Sequence, residues 1–287
     1  MSRAIYVFLL VVSSCADAGG ATNKTIVVTG ATGRTGSLTY KALHATGATV
    51  RALVRNATKA RAVLGCDKCD ETEGIFIGDI TKGDTLKAAM IGADSLIMTT
   101  GMVLSSSGKI IPGYAPKDIL FDGVKQQVEA FVESAGPPLA QRHVLLMSMM
   151  DTTLPDSGFA KIISKLWGGW DVGFYSLQGE AFLMSAGVPF TILKACGLGE
   201  GKSGKNRILA GHDDQSWNPV LNHMLDRGDV AQVFASAAAH PQESQGLRFD
   251  CCSSPFGMQQ TDMLDVLREA MYPWDPRKAG ESVSVVV

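Results

Sequence analysis

Three glycines spaced three residues apart stand between a predicted strand and a predicted helix near the start of the chain. The segment reads Val28-Thr29-Gly30-Ala31-Thr32-Gly33-Arg34-Thr35-Gly36. In such a turn the first glycine permits the sharp bend, the second lets backbone approach a pyrophosphate, and the third lets the helix pack on the strand. The free N–H groups of the helix N-terminus attract phosphate. The turn restricts the chain to a βαβ unit, and we expect a dinucleotide to be bound by Gly30, Thr32, Gly33, Arg34, Thr35 and Gly36.

Short β-rich apolar runs alternate with longer helical stretches from residue 24 onward, which is typical of a parallel sheet with crossover helices. The pattern predicts an α/β fold, a doubly wound parallel sheet (Rossmann fold) with a small C-terminal substrate lobe, mainly from residues 195–287. Strands are predicted over residues 25–29, 49–54, 74–77, 95–99, 143–148, 190–194 and 247–251. Helices are predicted over residues 33–46, 58–64, 84–91, 119–134, 173–186 and 230–239.

Composition excludes several classes of protein. Of the 287 residues, 46% are apolar, enough for one large α/β domain or two small ones with a proper core. The 26 basic residues nearly balance the 28 acidic ones, so the chain lacks the positive charge with which proteins bind nucleic acid. Six cysteines are too few for a disulfide-built scaffold. We expect residues 19–287 to form a single domain.

The end of the second strand indicates which dinucleotide is bound. An NAD site places Asp or Glu about 20 residues beyond the turn to hold the ribose 2′-OH. Here Arg55-Asn56 stand at that place, and Arg34 within the turn can reach it. Two guanidinium groups form strong contacts with a 2′-phosphate, so we expect NADP rather than NAD. The alternative for Arg55 is a solvated charge at a strand end.

Residues that follow the third and fourth strands are further candidates for the cofactor site. Ligands of open α/β sheets bind at the carboxyl ends of strands, where this chain has Asp79, Ile80, Thr99, Thr100 and Gly101. Asp79 either accepts a hydrogen bond from the adenine amino group or forms an Asx turn or helix cap.

The first 18 residues have the order of a secretory signal peptide. Met1-Ser2-Arg3 precede an apolar run of nine residues, too short to span a membrane, and Ala16-Asp17-Ala18 offer a cleavage point before Gly19. A frayed N-terminal strand or a misassigned start is the alternative. The signal predicts a secretory route or, in an alga with complex plastids, a first import step; without it the protein is expected in the cytoplasm.

With these residues the chain resembles the atypical short-chain dehydrogenase/reductase proteins, particularly the NmrA-like NAD(P)-binding branch. The resemblance covers nearly everything after the leader and implies an NADP-binding Rossmann domain with a small lobe over the nicotinamide. It rests on the glycine turn, Ala52-Leu53-Val54-Arg55, Gly78-Asp79, Ser185-Ala186-Gly187-Val188-Pro189-Phe190-Thr191-Ile192 and Arg227-Gly228-Asp229-Val230-Ala231.

The chain departs from the reductases of this superfamily at their catalytic pair. Those enzymes use Tyr-x-x-x-Lys on the fifth helix, with Tyr as proton donor. Aligning Glu180 with the family's glutamate puts Val172 at the Tyr position and Ser176 at the Lys position. Tyr175 and Ser148 remain as substitute donors, although Tyr175 can equally be a core aromatic residue.

Two functions therefore stay open. One is an oxidoreductase that reduces a small carbonyl, quinone or conjugated substrate by hydride transfer from NADPH, with Tyr175, Ser148 or water supplying the proton. The other is a non-catalytic protein that senses NADP or assists assembly, in which the cofactor shifts a partner-binding equilibrium. A protein partner is compatible with both.

No metal site is expected. Cys66 and Cys69 have metal-ligand spacing, but a zinc site needs two further ligands. A disulfide between them, or two free loop thiols, explains the pair more simply. His212-Asp213-Asp214 is interpreted as a solvated turn.

Overall fold

Ten strands are described in the computed structural model, which covers residues 24–102, 113–135, 138–153, 171–200, 203–215, 224–254 and 262–279, and residues 158, 161, 165 and 256 singly. The predicted signal peptide lies outside the described residues. The strands are β1 Thr25–Thr29, β2 Thr49–Val54, β3 Ile75–Ile77, β4 Ser95–Met98, β5 His143–Met149, β6 Phe190–Ala195, β7 Leu198–Gly199, β8 Arg207–Gly211, β9 Leu225–Asp226 and β10 Leu247–Ser254.

Eight of these strands form one sheet in the order β3-β2-β1-β4-β5-β6-β10-β8. All neighbours are parallel except β10 and β8, which are antiparallel. The strand order reverses between β1 and β4, and such a reversal opens a crevice at the carboxyl ends of the strands. The predicted doubly wound parallel sheet is confirmed.

Helices connect the strands on both faces of the sheet. The first, α1 Arg34–Ala45, follows the glycine turn directly, and a π-helical turn at Lys117–Asp122 leads into the fourth. Among the described residues, every helix is too short or too polar to cross a bilayer. The remaining helices are α2 Ala57–Leu64, α3 Lys87–Met90, α4 Gly123–Ala135, α5 Val172–Ser185, α6 Arg227–Ala239, α7 Pro241–Ser244 and α8 Met263–Glu269.

The central strands are buried on both sides, because helices cover each face of the sheet. Every residue of β4 is buried, as its continuous apolar sequence predicts. One core lies under α1, α6 and α8 and includes Leu43 and Phe234. The other lies under α3, α4 and α5 and includes Phe131 and Leu183. The two cores hold the carboxyl ends of the strands in fixed positions.

Two of the described strands after residue 195 belong to the central sheet. β10 completes the parallel sheet beside β6, and β8 adds an antiparallel edge to β10. β7 and β9 form a small parallel sheet of their own, which holds the chain near residue 200 against the start of α6. The strand predicted over residues 247–251 is observed as β10, which extends to Ser254 and belongs to the central sheet.

Candidate functional site

The glycine turn has the close approaches that its sequence predicts. Gly30 has a φ of +71°, a left-handed conformation that favours glycine. The amide of Gly33 donates to the carbonyl oxygen of Gly30 at 2.7 Å. A Cβ on Gly36 would lie 2.2 Å from that oxygen, so only glycine lets α1 begin so close to β1. The first N–H groups of α1 have no intrahelical acceptors and point along the helix axis toward the crevice.

Two cavities lie at the carboxyl ends of the strands and share Thr100 and Gly101. The first opens between the glycine turn and the ends of β2 and β3. Its described lining consists of Gly30, Thr32, Gly33, Leu53, Val54, Arg55, Lys59, Gly78, Ile80, Thr99, Thr100, Gly101, Tyr114 and Ile119. The shared residues make the two cavities neighbours, as one extended ligand requires.

The first cavity is polar where β2 ends. Arg55 lies with its guanidinium carbon 4.8 Å from the ring centroid of Tyr114. Lys59, on the first turn of α2, lines the same cavity. The hydroxyl of Tyr114 donates to Oδ2 of Asp79 at 2.6 Å. This group of residues offers two cations to a ligand, beside one carboxylate that already has partners.

Asp79 forms the Asx turn that was one of its two sequence interpretations. Its Oδ1 accepts from the amide and the hydroxyl of Thr81, at 3.0 and 2.9 Å. Burial raises the pKa of Asp79, but the hydrogen bonds from Tyr114 and Thr81 outweigh burial, and the pKa is below its usual value. Asp79 is not among the described residues that line the cavity, and its side chain instead holds Tyr114, which does.

The second cavity is mostly apolar. Its polar groups are those of Thr100, Ser148, Ser176 and two arginines, and methionine and aliphatic side chains make up much of the rest. Its described lining consists of Arg34, Thr100, Gly101, Met102, Leu120, Val124, Leu146, Met147, Ser148, Met149, Val172, Ser176, Ala195, Gly197, Leu198, Met224 and Arg227. Such a lining suits an apolar ligand.

Ser148 belongs to a buried chain of polar groups. Its hydroxyl donates to Oε1 of Glu180, a fully buried residue of α5. The other carboxylate oxygen of Glu180 accepts from Nε of Arg248 at 2.8 Å. Arg248 also donates to the hydroxyls of Thr153 and Thr152, at 2.9 and 3.0 Å. Since Glu180 is ion-paired, the Ser148 proton points at a carboxylate, and its oxygen is left to accept hydrogen bonds.

A second buried charge cluster lies around Lys194 of β6. Its ammonium binds Oδ1 of Asp214 and lies 3.0 Å from Oδ1 of Asp250. All three side chains are almost completely buried. Burial raises the pKa of Asp250. The expectation that residues 212–214 form a solvated turn is wrong for Asp214, since Lys194 and the amide of Thr153 hold its side chain inward.

Arg34 does not lie where the sequence analysis placed it. Its Nη1 lies 3.0 Å from Oε1 of Glu200, and it lines the second cavity, not the cavity that holds Arg55. Nη1 of Arg227 lies 2.6 Å from the same oxygen. Burial lowers the pKa of Arg227, and the charge of Arg34 lowers it further. In this structure a carboxylate far along the chain attracts Arg34 away from Arg55, and a joint contact of the two arginines with a 2′-phosphate stays a prediction.

Tyr175 lies outside the described lining of the second cavity. Val172 and Ser176, one helical turn apart on α5, line that cavity. Tyr175 is rotated about 100° from Ser176 around the helix axis. It is half-buried, and its ring makes an edge contact with Phe174. The structure thus separates the two predicted donors and places only Ser148 in the cavity wall.

The other predicted cofactor-binding residues either line the first cavity or are buried behind it. Gly30, Thr32, Gly33, Arg55, Ile80, Thr99, Thr100 and Gly101 line the first cavity. Thr35 and Gly36 are buried in α1 behind it. Sequence reasoning missed Lys59, Tyr114, Glu200 and Arg227. Lys59 could have been found, since it stands four residues after Arg55 on a predicted helix; the other three depend on tertiary contacts.

The cysteine pair of the sequence analysis is joined in a disulfide. Cys66 and Cys69 have Cα atoms 5.1 Å apart, in the loop between α2 and β3. The structure also pairs Cys196 with Cys252, which the sequence analysis did not predict. Glu73 lies near the first pair, where its Oε2 accepts from the amides of Lys68 and Cys69.

Known proteins resemble this chain across most of its length. A sequence model of the family described as NAD(P)H-binding matches residues 30–241. Sanguinarine reductase of Eschscholzia californica is 28% identical over 265 residues, which cover 82% of this chain and 90% of the reductase. An uncharacterized chloroplastic protein of Arabidopsis thaliana is 28% identical over 247 residues, which cover 81% of this chain and 70% of that protein.

Solved structures share the fold at low sequence identity. A putative NAD-dependent epimerase/dehydratase from Bacillus halodurans superimposes with a TM-score of 0.65 at 17% identity, covering 86% of this chain and 99% of its own. A short-chain dehydrogenase/reductase from Veillonella parvula, in complex with NADP, has a TM-score of 0.57 at 14% identity, covering 79% and 94%. These two likenesses concern the Rossmann architecture alone.

Proposed function

Because the chain belongs to the NAD(P)H-binding family, we propose that it is an NADPH-dependent reductase of an apolar, conjugated substrate. Family and fold confirm the resemblance to the atypical short-chain dehydrogenase/reductase proteins. The observation that carries the proposal is that the first cavity, which contains Arg55 and Lys59, meets the apolar second cavity at Thr100 and Gly101. The name of the Eschscholzia relative, a reductase, agrees with it.

NADPH is the proposed cofactor because of the charges at the end of β2. Arg55 and Lys59 line the first cavity, and the residue where an NAD site carries a carboxylate is Arg55 itself. The amides at the start of α1 and the bare backbone of Gly33 suit a pyrophosphate. Arg55 and Lys59 would hold the 2′-phosphate by charge-assisted hydrogen bonds. The bound nicotinamide would supply a hydride.

The substrate class follows from the lack of a strong acid in the described lining of the second cavity. A hydride added to a simple ketone leaves an alkoxide, a strong base that needs a proton donor. Ser148 is a poor donor because its proton already points at the ion-paired Glu180. A hydride added to a quinone leaves a delocalised hydroquinone anion, which takes its proton from water. We therefore favour quinones and other conjugated acceptors over simple aldehydes and ketones.

Turnover assays test this function. We expect oxidation of NADPH with menadione as acceptor and none above the rate of free cofactor with benzaldehyde. Tyr175→Phe should leave the rate unchanged, because Tyr175 lies outside the described lining. Val172→Phe, a change on the neighbouring face of the same helix, should abolish the reaction by filling the cavity.

The second candidate is the non-catalytic NADP sensor. Val172 and Ser176, at the positions of the superfamily's Tyr and Lys, line the cavity and favour this candidate. Tight NADPH binding with no oxidation by quinones, flavins or aldehydes would establish it over the reductase. Loss of menadione reduction in Tyr175→Phe would contradict the assignment of the proton to water.

The N-terminal segment bears on where the reaction takes place. We retain residues 1–18 as a signal peptide that leads to a plastid or a secretory compartment. The Arabidopsis relative is named a chloroplastic protein, which supports the plastid. Mass spectrometry of the protein from its native source should find an N-terminus near Gly19. Recovery of intact Met1 would exclude cleavage.

A further inference from the structure

Two arginines share one carboxylate at the rim of the second cavity. Nη1 of Arg227 and Nη1 of Arg34 lie 2.6 and 3.0 Å from the same oxygen, Oε1 of Glu200. Two positive charges against one negative charge leave a net positive charge beside an apolar lining. Among the described lining residues, these two arginines are the only charged ones.

The three side chains differ in how freely they can move. The side chain of Arg227 is 8% exposed and also donates to the carbonyl oxygen of Gly199 at 3.0 Å, so it is fixed. The side chain of Glu200 is 63% exposed, and that of Arg34 is 73% exposed. An ion pair between two such exposed groups contributes little to stability. The exposed carboxylate can turn into solvent when another anion takes its place beside Arg227, whose guanidinium stays.

The described chain before and after Glu200, at Gly197 and at Ser203–Gly204, takes part in hydrogen bonds. The amide of Leu225 donates to the carbonyl oxygen of Gly197 at 2.9 Å, before Glu200. After it, the hydroxyl of Ser203 and the amide of Gly204 both donate to Oδ1 of Asp229 at 2.6 Å. Rotation of the Glu200 side chain alone thus opens the place between the two arginines to another anion, without a change of the described backbone.

We propose that the second cavity binds an apolar substrate that carries an anionic group, a carboxylate or sulfonate, which takes the place of Glu200 between Arg34 and Arg227. This rests on the proposed function, since it names the substrate class of that reductase. The anion lies at the rim, and the apolar body lies against aliphatic and methionine side chains. The incoming anion keeps a negative charge beside Arg227 when Glu200 turns away, which matters because burial makes an unpaired charge costly.

Two fluorescent probes of the same ring skeleton test the charge requirement. Anilinonaphthalenesulfonate is apolar and anionic, and phenylnaphthylamine is its neutral counterpart. Each is titrated into full-length protein saturated with NADP, so that the first cavity is occupied. We expect the sulfonate to bind about tenfold more tightly than the neutral probe, as one charge-assisted hydrogen bond provides.

Substitutions of Glu200 and of the two arginines should change sulfonate binding in opposite directions. Glu200→Gln removes the competing anion and should tighten sulfonate binding, whereas Arg227→Met should weaken it roughly tenfold. Arg34→Met should weaken it less, because Arg34 is exposed. The affinity for the neutral probe should stay the same in all three variants, and that constancy also shows that the cavity is intact. Lys41→Met, an exposed cation on α1 outside the described lining, is the matched control.

Several results would overturn the proposal. One is an unchanged or weaker affinity of Glu200→Gln for the sulfonate, and another is equal weakening of both probes in Arg227→Met. A third is loss of NADP affinity with normal sulfonate binding in the arginine variants, which would assign them to the cofactor pyrophosphate. The protein could also reduce no acceptor and still bind the sulfonate more tightly in Glu200→Gln and more weakly in Arg227→Met. That result would refute the reductase while supporting the anion site.

Discussion

Arg55 and Lys59 are the two residues on which the choice of cofactor depends. Both are exposed cations that line the first cavity. Replacing both by alanine should weaken NADPH binding at least tenfold, because a charge-assisted hydrogen bond contributes about 1.5 kcal/mol or more. The affinity for NADH, which lacks the 2′-phosphate, should not change.

Fluorescence titration of both reduced cofactors measures this difference. Lys41→Ala, which removes an exposed cation from α1, controls for the general loss of positive charge. Equal weakening of NADPH and NADH would mean that Arg55 and Lys59 contact a group common to both cofactors.

His143 should make the fold sensitive to acid. It is buried at the start of β5, and its Nε2 lies 2.8 Å from the hydroxyl oxygen of Thr191. Burial lowers its pKa from 6.5 to about 3. The unfolded chain therefore binds a proton that the folded chain does not between those values, and stability falls as pH falls through this window. From pH 7 to pH 5 the loss should be about 2 kcal/mol.

Urea unfolding of the native protein and of His143→Gln at both pH values isolates this contribution. The variant keeps a donor near Thr191 but does not titrate, so its loss between pH 7 and pH 5 should be smaller by about 2 kcal/mol. Equal losses in the two proteins would show that folding does not lower the pKa of His143.

The positions of glycines in the site could be predicted from the sequence, but the directions of its long side chains could not. Gly30, Gly33 and Gly36 could be assigned from spacing, since their roles concern backbone geometry next to them in sequence. The direction of the Arg34 side chain depends on Glu200, which is 166 residues away along the chain. The Asp214 side chain is buried for the same kind of reason, since its partners Lys194 and Thr153 are 20 and 61 residues away along the chain. Such pairings leave no periodic signal in the sequence.

The contact of α1 with β1 and β4 should tolerate no side chain at Gly36. A Cβ there would lie 2.2 Å from the carbonyl oxygen of Gly30 and 2.6 Å from the hydroxyl of Thr99. Gly36→Ala must push the helix away from the sheet, and we expect a loss of about 1–3 kcal/mol of unfolding free energy. NADPH binding should weaken as well, because the amides of the first turn of α1 move with the helix.

Gly173→Ala is the matched control on another helix. A Cβ at that position would meet its nearest neighbour, the carbonyl oxygen of Asp151, at an ordinary 3.5 Å. The change should be neutral or stabilise α5 by up to about 1 kcal/mol, since alanine favours helix over glycine. Comparable destabilisation in both variants would show that the approach of α1 to the turn is not the cause.

Elements with a strong internal pattern were predictable, and elements fixed by tertiary contacts were not. The apolar runs of β1, β2 and β4 predict strands close to those observed. The predicted helix over residues 84–91 is instead a 3₁₀ turn followed by the four-residue α3. β7 and β9 have two residues each and exist because they pair with one another. No pattern of two residues can predict that pairing.

The whole molecule should become more stable when it binds its cofactor. A ligand that binds only the folded chain at about 100 times its dissociation constant adds about 2.7 kcal/mol. NADPH should therefore raise the midpoint of thermal unfolding more than NADH at the same concentration. Equal shifts from the two cofactors would contradict a preference for NADPH.

The position of β8 imposes an order on how the chain folds during its synthesis. β1 to β6 form a continuous block of six neighbouring strands, and all of them lie before residue 196. β8 joins the sheet only beside β10, which begins 36 residues after β8 ends. At roughly 5–20 residues per second, a ribosome needs about 2 to 7 seconds to make that stretch. During this interval β8 has already been synthesised, while the strand that will hold it has not yet been translated.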